Sequence, residues 1–343
     1  MIPCRRDWMF STLLFWLLIT IPAAQGGAHD PPAMKTVVSV VGPRNLSYLP
    51  IDLMPLIGAD REEGLEVSLK HVEGGGLAIK EMISRNSDFT VVGFPALMSL
   101  KAHGGDLVGV ASVSDVPQFV LIVRKALENQ VRRIHDLKGR IIGVHTSAVN
   151  AKTVAQQLLE LLLRSDGLQP RDARVISTGQ EWNKRIAMLD SGQVDAIVAE
   201  EPFASTMLTE GKVFFLVNLA EPQTTAHIPG AQVLHAALAT RPDVVANDPE
   251  KVRKLVKALR RSLRWIAEHS PEELTDRLDI THPEERTQLL LCLKKYPRLF
   301  SKDGAFSNRQ IQETNRFFHA STPDADSIRM EDLIDDRWAG RKE

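Results

Sequence analysis

The sequence contains few cysteines, and its net charge is close to zero. The 343 residues contain two cysteines, Cys4 and Cys292, and the formal net charge is −1. No run of basic residues exceeds two, so the chain lacks the basic patch typical of nucleic-acid binding, and no nucleic-acid partner is expected. Because Cys4 lies in an N-terminal segment that resembles an export signal, Cys292 is the one cysteine of the expected mature chain. An internal disulfide is therefore excluded, and Cys292 is predicted to be a small buried side chain.

Recognisable catalytic and metal-binding motifs are also lacking. The sequence has no Gly-x-Ser-x-Gly nucleophile elbow, no Walker phosphate loop and no Gly-x-Gly-x-x-Gly at the start of a βαβ unit. The ten histidines are scattered without the spacing of metal ligands. We therefore predict no catalytic residues, no metal site and no cofactor.

The longest apolar run, residues 8–21, is too short to span a bilayer. It has fourteen residues, whereas a membrane-spanning helix needs about twenty. Arg5 and Arg6 precede the run and small residues follow it at 22–26, which is the layout of a secretory signal. We predict that residues 1–26 are a signal peptide and that the mature protein is periplasmic. An uncleaved anchor is the alternative, and both the Sec and the twin-arginine export routes stay open.

Two similar segments organise the rest of the chain. Residues 88–96 and 195–204 each contain an aspartate, a short apolar run and a proline, with seven residues from aspartate to proline in both. The apolar runs, at 89–92 and 196–199, are too short for helices and are typical of strands buried on both faces. Proline is favoured at the first position of a helix. Each segment therefore predicts a strand that turns directly into a helix.

The same order of elements recurs around both segments. A strand and an amphipathic helix precede each aspartate, and another strand follows each proline helix, which predicts an α/β fold of two βαβαβ lobes with parallel sheets. We expect residues 33–117 and 231–343 to form lobe 1, with extra C-terminal helices. Residues 118–230 are expected to form lobe 2. Two hinge crossings, near residues 114–117 and 221–230, join the lobes in this prediction.

Strand ends and helix starts are the expected ligand contacts. Open parallel sheets bind ligands beyond the carboxyl ends of their strands, which indicates Gly93 and Glu201 with their neighbours. Glycines at 74–76 precede one predicted helix, and Thr146 or Ser147 is predicted to cap a long helix over 148–164. The first turn of a helix offers free N–H groups and positive dipole to an anion.

Several short motifs, taken together, resemble a known family. They occur in register over about residues 35–219: Tyr48-Leu49-Pro50, Glu63-Gly64-Leu65-Glu66-Val67, Gly74-Gly75-Gly76, Asp88-Phe89 with Gly93, Asp136-Leu137-Lys138-Gly139, Ile142-Gly143-Val144, Ser191-Gly192-Gln193-Val194-Asp195-Ala196 and Glu201-Pro202-Phe203. The sequence is similar to the nitrate/sulfonate/taurine (NitT/TauT) solute-binding proteins of ABC transporters. That resemblance implies a type II periplasmic-binding-protein fold, a monomer, and an inner-membrane permease and ATPase as partners.

Two departures from the family pattern touch the expected site. Glu200 stands where a Trp or similar residue commonly precedes the Glu-Pro pair. The helix entrance reads His145-Thr146-Ser147-Ala148 in place of the usual Pro-x-Gly-Ser. For this reason the ligand of a well-known family member is not transferred to this chain.

Twelve residues are candidate ligand contacts, and most have a structural alternative. The glycines at 74–76 form either a backbone cradle for an anionic group or a flexible turn. Each aromatic candidate either stacks on a solute or belongs to a lobe core. The glutamate before Pro202 either accepts hydrogen bonds from a ligand amine or caps its own helix. The candidates are Tyr48, Gly74, Gly75, Gly76, Gly93, Phe94, Pro117, His145, Thr146, Ser147, Trp182 and Glu201.

These features predict a binding protein rather than an enzyme. We expect the periplasmic solute-binding component of an ABC importer, which holds a small organic solute between its lobes and delivers it to the permease. An anionic or zwitterionic solute, similar to a sulfonate, taurine or nitrate, is favoured because two helix starts are expected to meet between the lobes. The negative charges of Glu200 and Glu201 oppose a pure anion, so a solute with an amine or a heterocycle stays open. The alternatives are an exported sensory module, an enzyme on the same fold, and a binding protein for a pyrimidine-like heterocycle.

Overall fold

The computed structural model describes residues 1, 32–42, 45–145, 152–179, 181–322 and 327–343. Residues 33–343 form one compact unit. Residues 2–26 of the expected signal peptide lie outside the described residues. No helix in the described ranges is long and apolar enough to cross a membrane.

The described strands form two five-stranded sheets and one short parallel pair. Sheet 1 has the order β2-β1-β3-β10-β4, sheet 2 has the order β7-β6-β8-β5-β9, and β11 pairs with β12. The strands are β1 (Met34–Val41), β2 (Leu65–Val72), β3 (Phe89–Gly93), β4 (Val108–Ser114), β5 (Phe119–Arg124), β6 (Ile141–Val144), β7 (Arg174–Ser177), β8 (Ala196–Glu200), β9 (Val213–Asn218), β10 (Ala236–Thr240), β11 (Phe306–Ser307) and β12 (Arg341–Lys342).

Each large sheet contains one strand that runs against its neighbours. In sheet 1, β1 is parallel to β2 and β3, whereas β10 is antiparallel to β3 and β4. In sheet 2, β6 is parallel to β7 and β8, whereas β5 is antiparallel to β8 and β9. The predicted α/β class is confirmed, but the prediction of purely parallel sheets is wrong. The reason is that β5 and β10 each follow a crossing and begin beside the carboxyl ends of the parallel strands. Each therefore runs back in the opposite direction.

Helices cover the sheets and make up most of the C-terminal part. They are α1 (Leu49–Leu56), α2 (Ala59–Glu62), α3 (Gly75–Ile83), α4 (Phe94–Ala102), α5 (Val154–Ser165), α6 (Trp182–Asp190), α7 (Phe203–Thr209), α8 (Pro222–Thr225), α9 (Pro242–Asn247), α10 (Pro249–Glu268), α11 (Pro271–Arg277), α12 (Pro283–Lys295) and α13 (Asn308–Ser321).

The first helix of lobe 2 begins later than the sequence predicts. Helix α5 starts at Val154, and the hydroxyl of Thr153 caps it by accepting a hydrogen bond from the backbone N–H of Gln156 at 3.3 Å. The same hydroxyl donates to the carbonyl of His145 at 2.9 Å, which ties the helix start back to the end of β6. The cap of α5 is therefore Thr153, whereas the predicted cap, at residues 146–147, lies outside the described residues.

The C-terminal helices α10 and α13 pack into the hydrophobic cores beside the two large sheets. The apolar face of α10, with Val252, Leu255 and Leu259, joins the core beneath sheet 1. Helix α13 contributes Phe317 to the core around sheet 2, and the next residue, Phe318, to a core cluster beside sheet 1. One helix therefore packs against the cores of both lobes.

Candidate functional site

The strand ends of the two sheets meet at one place, which we call the cleft. Gly93 ends β3 and is paired with Ala236 at the start of β10, while Glu200 ends β8 and is paired with Phe119 at the start of β5. A Cβ atom added to Gly93 would lie 2.8 Å from Cγ2 of Val154, at the start of α5 in the other lobe. The lobes are thus in contact across the cleft, and Gly93 is required by that close approach.

Glu200 is the centre of a charged group at the cleft. Its Oε1 lies 2.7 Å from Nδ1 of His145, and its Oε2 accepts a hydrogen bond from Nη1 of Arg185 at 3.1 Å. Burial opposes ionisation, but the charges of His145 and Arg185 outweigh it and hold the pKa of Glu200 well below its usual range. Glu200 is therefore an anion at neutral pH, paired from two sides.

Tyr48 lies close to this charged group while belonging to the core of lobe 1. Its side chain is buried, and its hydroxyl has a hydrogen bond with the backbone of Gly93. Burial, and then the negative charge of Glu200, raise the pKa of Tyr48, so the hydroxyl stays protonated at neutral pH. The ring of Tyr48 therefore belongs to the core, as one of its two interpretations has it, and its hydroxyl lies at the strand end that Gly93 forms.

A second polar group lies beside Glu200. The hydroxyl of Ser47 donates to Oε1 of Gln118 at 3.2 Å and lies 2.7 Å from Nε2 of His235. Burial lowers the pKa of His235 to about 4, although the charge of Glu200 acts in the opposite direction. The imidazole is therefore neutral at physiological pH. The ring of Phe119 packs edge-on against it with 5.6 Å between ring centres.

Several buried polar atoms at the cleft have no hydrogen-bond partner within the described residues. They are Nε2 of Gln118, Nδ1 of His235, and Nε and Nη2 of Arg185, on side chains that are 1%, 4% and 3% exposed. Buried polar groups are nearly always hydrogen-bonded, and leaving one unpaired costs about 1–3 kcal/mol. Nε and Nη2 form one edge of the guanidinium, and in proteins this edge commonly pairs with an oxyanion through two parallel hydrogen bonds. The cleft therefore has unused capacity to bind a polar molecule.

Glu201, the predicted acidic contact, faces away from this group. Its carboxylate accepts hydrogen bonds from the backbone N–H and the hydroxyl of Ser205 at 2.9 and 2.8 Å, and from the hydroxyl of Tyr296 at 2.7 Å. The thiol of Cys292, buried as predicted, lies 3.6 Å from it. The alternative interpretation of Glu201 as a cap of its own helix fits this geometry. Successive residues at a strand end point to opposite sides, so Glu200 takes the position at the cleft.

The other predicted residues are placed as follows. Phe94 is fully buried in a lobe 1 core cluster, and Trp182 packs edge-on against Phe203 with 5.1 Å between ring centres. Pro117 is buried in the first crossing, between β4 and β5. The glycines at 74–76 lead into α3, with Gly74 in the left-handed region at φ 84°. Thr146 and Ser147 lie outside the described residues.

Sequence reasoning missed Ser47, Gln118, Arg185 and His235 as site residues. Gln118 and His235 follow different crossings and meet only because β5 and β10 each insert into a sheet at the cleft. No local pattern signals that meeting. Arg185 carried a weak signal, since it lies one turn after Trp182 on α6 and so faces the same side.

Comparison with known proteins identifies the fold and the family. A Bordetella bronchiseptica RB50 protein superimposes with a TM-score of 0.77 at 23% identity, covering 90% of this chain and 96% of that one. The alkanesulfonate-binding protein SsuA of Xanthomonas axonopodis pv. citri, bound to MOPS, gives 0.65 at 16% identity, covering 92% and 100%. A Candida albicans gene product with the generic periplasmic binding protein fold gives 0.68 at 13% identity, covering 91% and 98%.

These likenesses confirm the predicted periplasmic-binding-protein fold, and the predicted resemblance to the NitT/TauT type is confirmed with it. The model of the family described as NMT1/THI5 like matches residues 61–273, which is more than half of the 343 residues. The chain therefore belongs to the NMT1/THI5-like family.

Proposed function

We propose that the protein is the periplasmic solute-binding component of an ABC importer. One observation carries the proposal: Gln118, Arg185 and His235 keep buried hydrogen-bonding atoms without partners, within the described residues, where the strand ends of both lobes meet. In α/β sheets this is the place where ligands bind. A solute held there completes the hydrogen bonding of both lobes and stabilises their closed arrangement by hinge motion. The closed, solute-loaded monomer then docks on the permease.

The proposed solute is a small anionic or zwitterionic organic molecule. The free edge of Arg185 matches a carboxylate or sulfonate, whose two oxygens accept parallel hydrogen bonds. Arg185 is already paired with Glu200, so the site contains both a positive and a negative side chain. Its positive charge is therefore balanced without a strongly anionic solute. The likeness to an alkanesulfonate-binding protein agrees with an oxyanion on the solute.

Arg185→Lys tests the role of this edge without removing the charge. Lysine keeps a positive partner for Glu200 but lacks the planar fork. We expect methanesulfonate and taurine to raise the melting temperature of the wild type and to bind the variant about tenfold to a hundredfold more weakly, because a hydrogen bond to a charged group contributes about 1.5–3 kcal/mol. Arg298→Lys, at an exposed arginine, is the matched control and should bind as the wild type does.

Small-angle scattering supplies the second readout. The wild type should become more compact on adding a solute that raises its melting temperature. If a broad set of sulfonates, carboxylates and amino acids neither stabilises nor compacts the protein, the proposal is refuted. Turnover of a bound solute by the purified protein would point to an enzyme instead.

A further inference from the structure

Ser47, Gln118 and His235 form a hydrogen-bonded chain, which we call the relay. They come from three separate parts of the sequence: the turn before α1, the residue before β5, and the residue before β10. Ser47 is 5% exposed, and the other two are less so. The hydroxyl of Ser47 contacts Oε1 of Gln118 and Nε2 of His235. The outer atoms of the relay, Nε2 of Gln118 and Nδ1 of His235, have no partner among the residues that the structure describes.

A single hydroxyl hydrogen sets the polarity of both outer atoms. When Ser47 donates to the oxygen of Gln118, its own oxygen accepts from Nε2–H of His235. The neutral imidazole then leaves Nδ1 as a bare acceptor, and the amide of Gln118 presents its NH₂ as a donor.

The opposite assignment leads to the same result. If the amide is turned over, its nitrogen donates to Ser47, and Ser47 donates to Nε2 of His235. The hydrogen of His235 then sits on Nδ1, a donor, and the oxygen of Gln118 is the free acceptor. In both arrangements the relay offers one donor and one acceptor.

The relay is also uncharged. His235 is neutral at physiological pH because its burial opposes protonation, and serine and glutamine carry no charge. An oxyanion has only acceptors, so placing one against the relay sets two acceptors together. A solute group with its own donor and acceptor has no such conflict.

We propose that the relay binds the solute through an adjacent N–H and C=O, as carried by a lactam or a carboxamide. This rests on the proposed solute-binding function and adds a second recognition point to Arg185. The solute then has two ends, an oxyanion at Arg185 and an uncharged amide edge at Gln118 and His235. Sites built to hydrogen-bond a polar group reject analogues that lack it, because the protein groups are left unpaired.

Three probes separate the two recognition points in calorimetric titrations. Orotate carries a carboxylate and a lactam edge, benzoate carries the carboxylate without the edge, and uracil carries the edge without the carboxylate. We expect orotate to bind at least about tenfold more tightly than benzoate or uracil, as one recovered hydrogen-bond pair implies. Ser47→Ala breaks the relay and should remove the preference for orotate over benzoate. Ser99→Ala removes a similarly buried hydroxyl in α4 and should keep that preference.

The outcomes distinguish this inference from the proposed function. Orotate that binds no better than benzoate, or that fails to bind at millimolar concentration, overturns the relay. Stabilisation by methanesulfonate, with compaction in the small-angle scattering described above, would leave the solute-binding function standing. A ligand-independent check is the nitrogen NMR spectrum of histidine-labelled protein, in which His235 should be a single neutral tautomer at pH 7. A doubly protonated His235 overturns the inference whatever the probes do.

Discussion

Acidification should destabilise the fold through His235. The side chain is 4% exposed, and burial lowers the pKa from the ordinary 6.5 to about 4. Below pH 6.5 the unfolded chain takes up a proton on this imidazole, whereas the folded protein does so only near pH 4. Because the unfolded state binds more protons in that interval, the free energy of unfolding falls as the pH drops from 6.5 to 4.

The size of the effect follows from the two pKa values. Their difference, 6.5 minus about 4, is 2.5 pKa units, which at 1.36 kcal/mol per unit amounts to about 3 kcal/mol. About 2 kcal/mol of this is expressed between pH 6.5 and 4.5. Glu200 acts in a lower range, since a carboxylate whose pKa is lowered by folding gives stability above its unfolded value of 4.5 and loses it below.

Urea unfolding at several pH values between 7 and 4.5 measures this directly. His235→Phe removes the titrating group, so the wild type should lose about 2 kcal/mol more than the variant over that interval. His227→Phe, at an exposed histidine, is the control and should follow the wild type. Identical pH dependence in the wild type and His235→Phe would refute the reasoning, because the buried imidazole would then be titrating as if it were in water.

Three further changes test other contacts. Tyr296→Phe removes a hydrogen bond to the buried carboxylate of Glu201, and it should lower the free energy of unfolding by about 1.5–3 kcal/mol in urea titrations; an unchanged midpoint would contradict this. Gly93→Ala brings a methyl group within 2.8 Å of Val154, so small-angle scattering should show a more open protein and solute should bind more weakly; compaction equal to the wild type would argue against the close approach. Burial, and then the charge of Glu201, raise the pKa of Cys292, so its thiol should react with an aromatic disulfide reagent in urea and not in the native state; rapid native labelling would be the opposing result.

Local patterns in the sequence predicted the elements well and their directions poorly. The strands before Pro95 and Pro202 were predictable because short apolar runs and helix-starting prolines are local signals. Strand direction in β5 and β10 was not, because an apolar run looks the same in both directions. The start of α5 was misplaced because Thr146, Ser147 and Thr153 are all acceptable caps, and only tertiary packing selects among them.

The candidate site shows the same difference between local signals, which the sequence carries, and long-range pairing, which it does not. Of the predicted residues, His145 lies 2.7 Å from Glu200, and Tyr48, which has a hydrogen bond with the backbone of Gly93, lies within reach of the charge of Glu200. The sequence predicts a contact through Glu201, whereas in the structure its neighbour Glu200 pairs with His145 and Arg185. The alternation of side chains along β8 was the available signal for that difference. Gln118 and His235 could not be predicted together, since 117 positions separate them and only the pairing of the central strands joins them.

The central position of β10 in sheet 1 has a consequence for how the chain is made. Strands β5–β9 of sheet 2 are contiguous in sequence, so this sheet can be completed once residue 218 has been synthesised. Sheet 1 must wait for residues 236–240, and until then β3 and β4 have facing open edges that are largely apolar. Such edges are templates for aggregation. A nascent chain released before residue 236 should therefore aggregate. In a circular permutant that begins near residue 230, β10 would be synthesised first, so β3 and β4 could pair with it as soon as they are made.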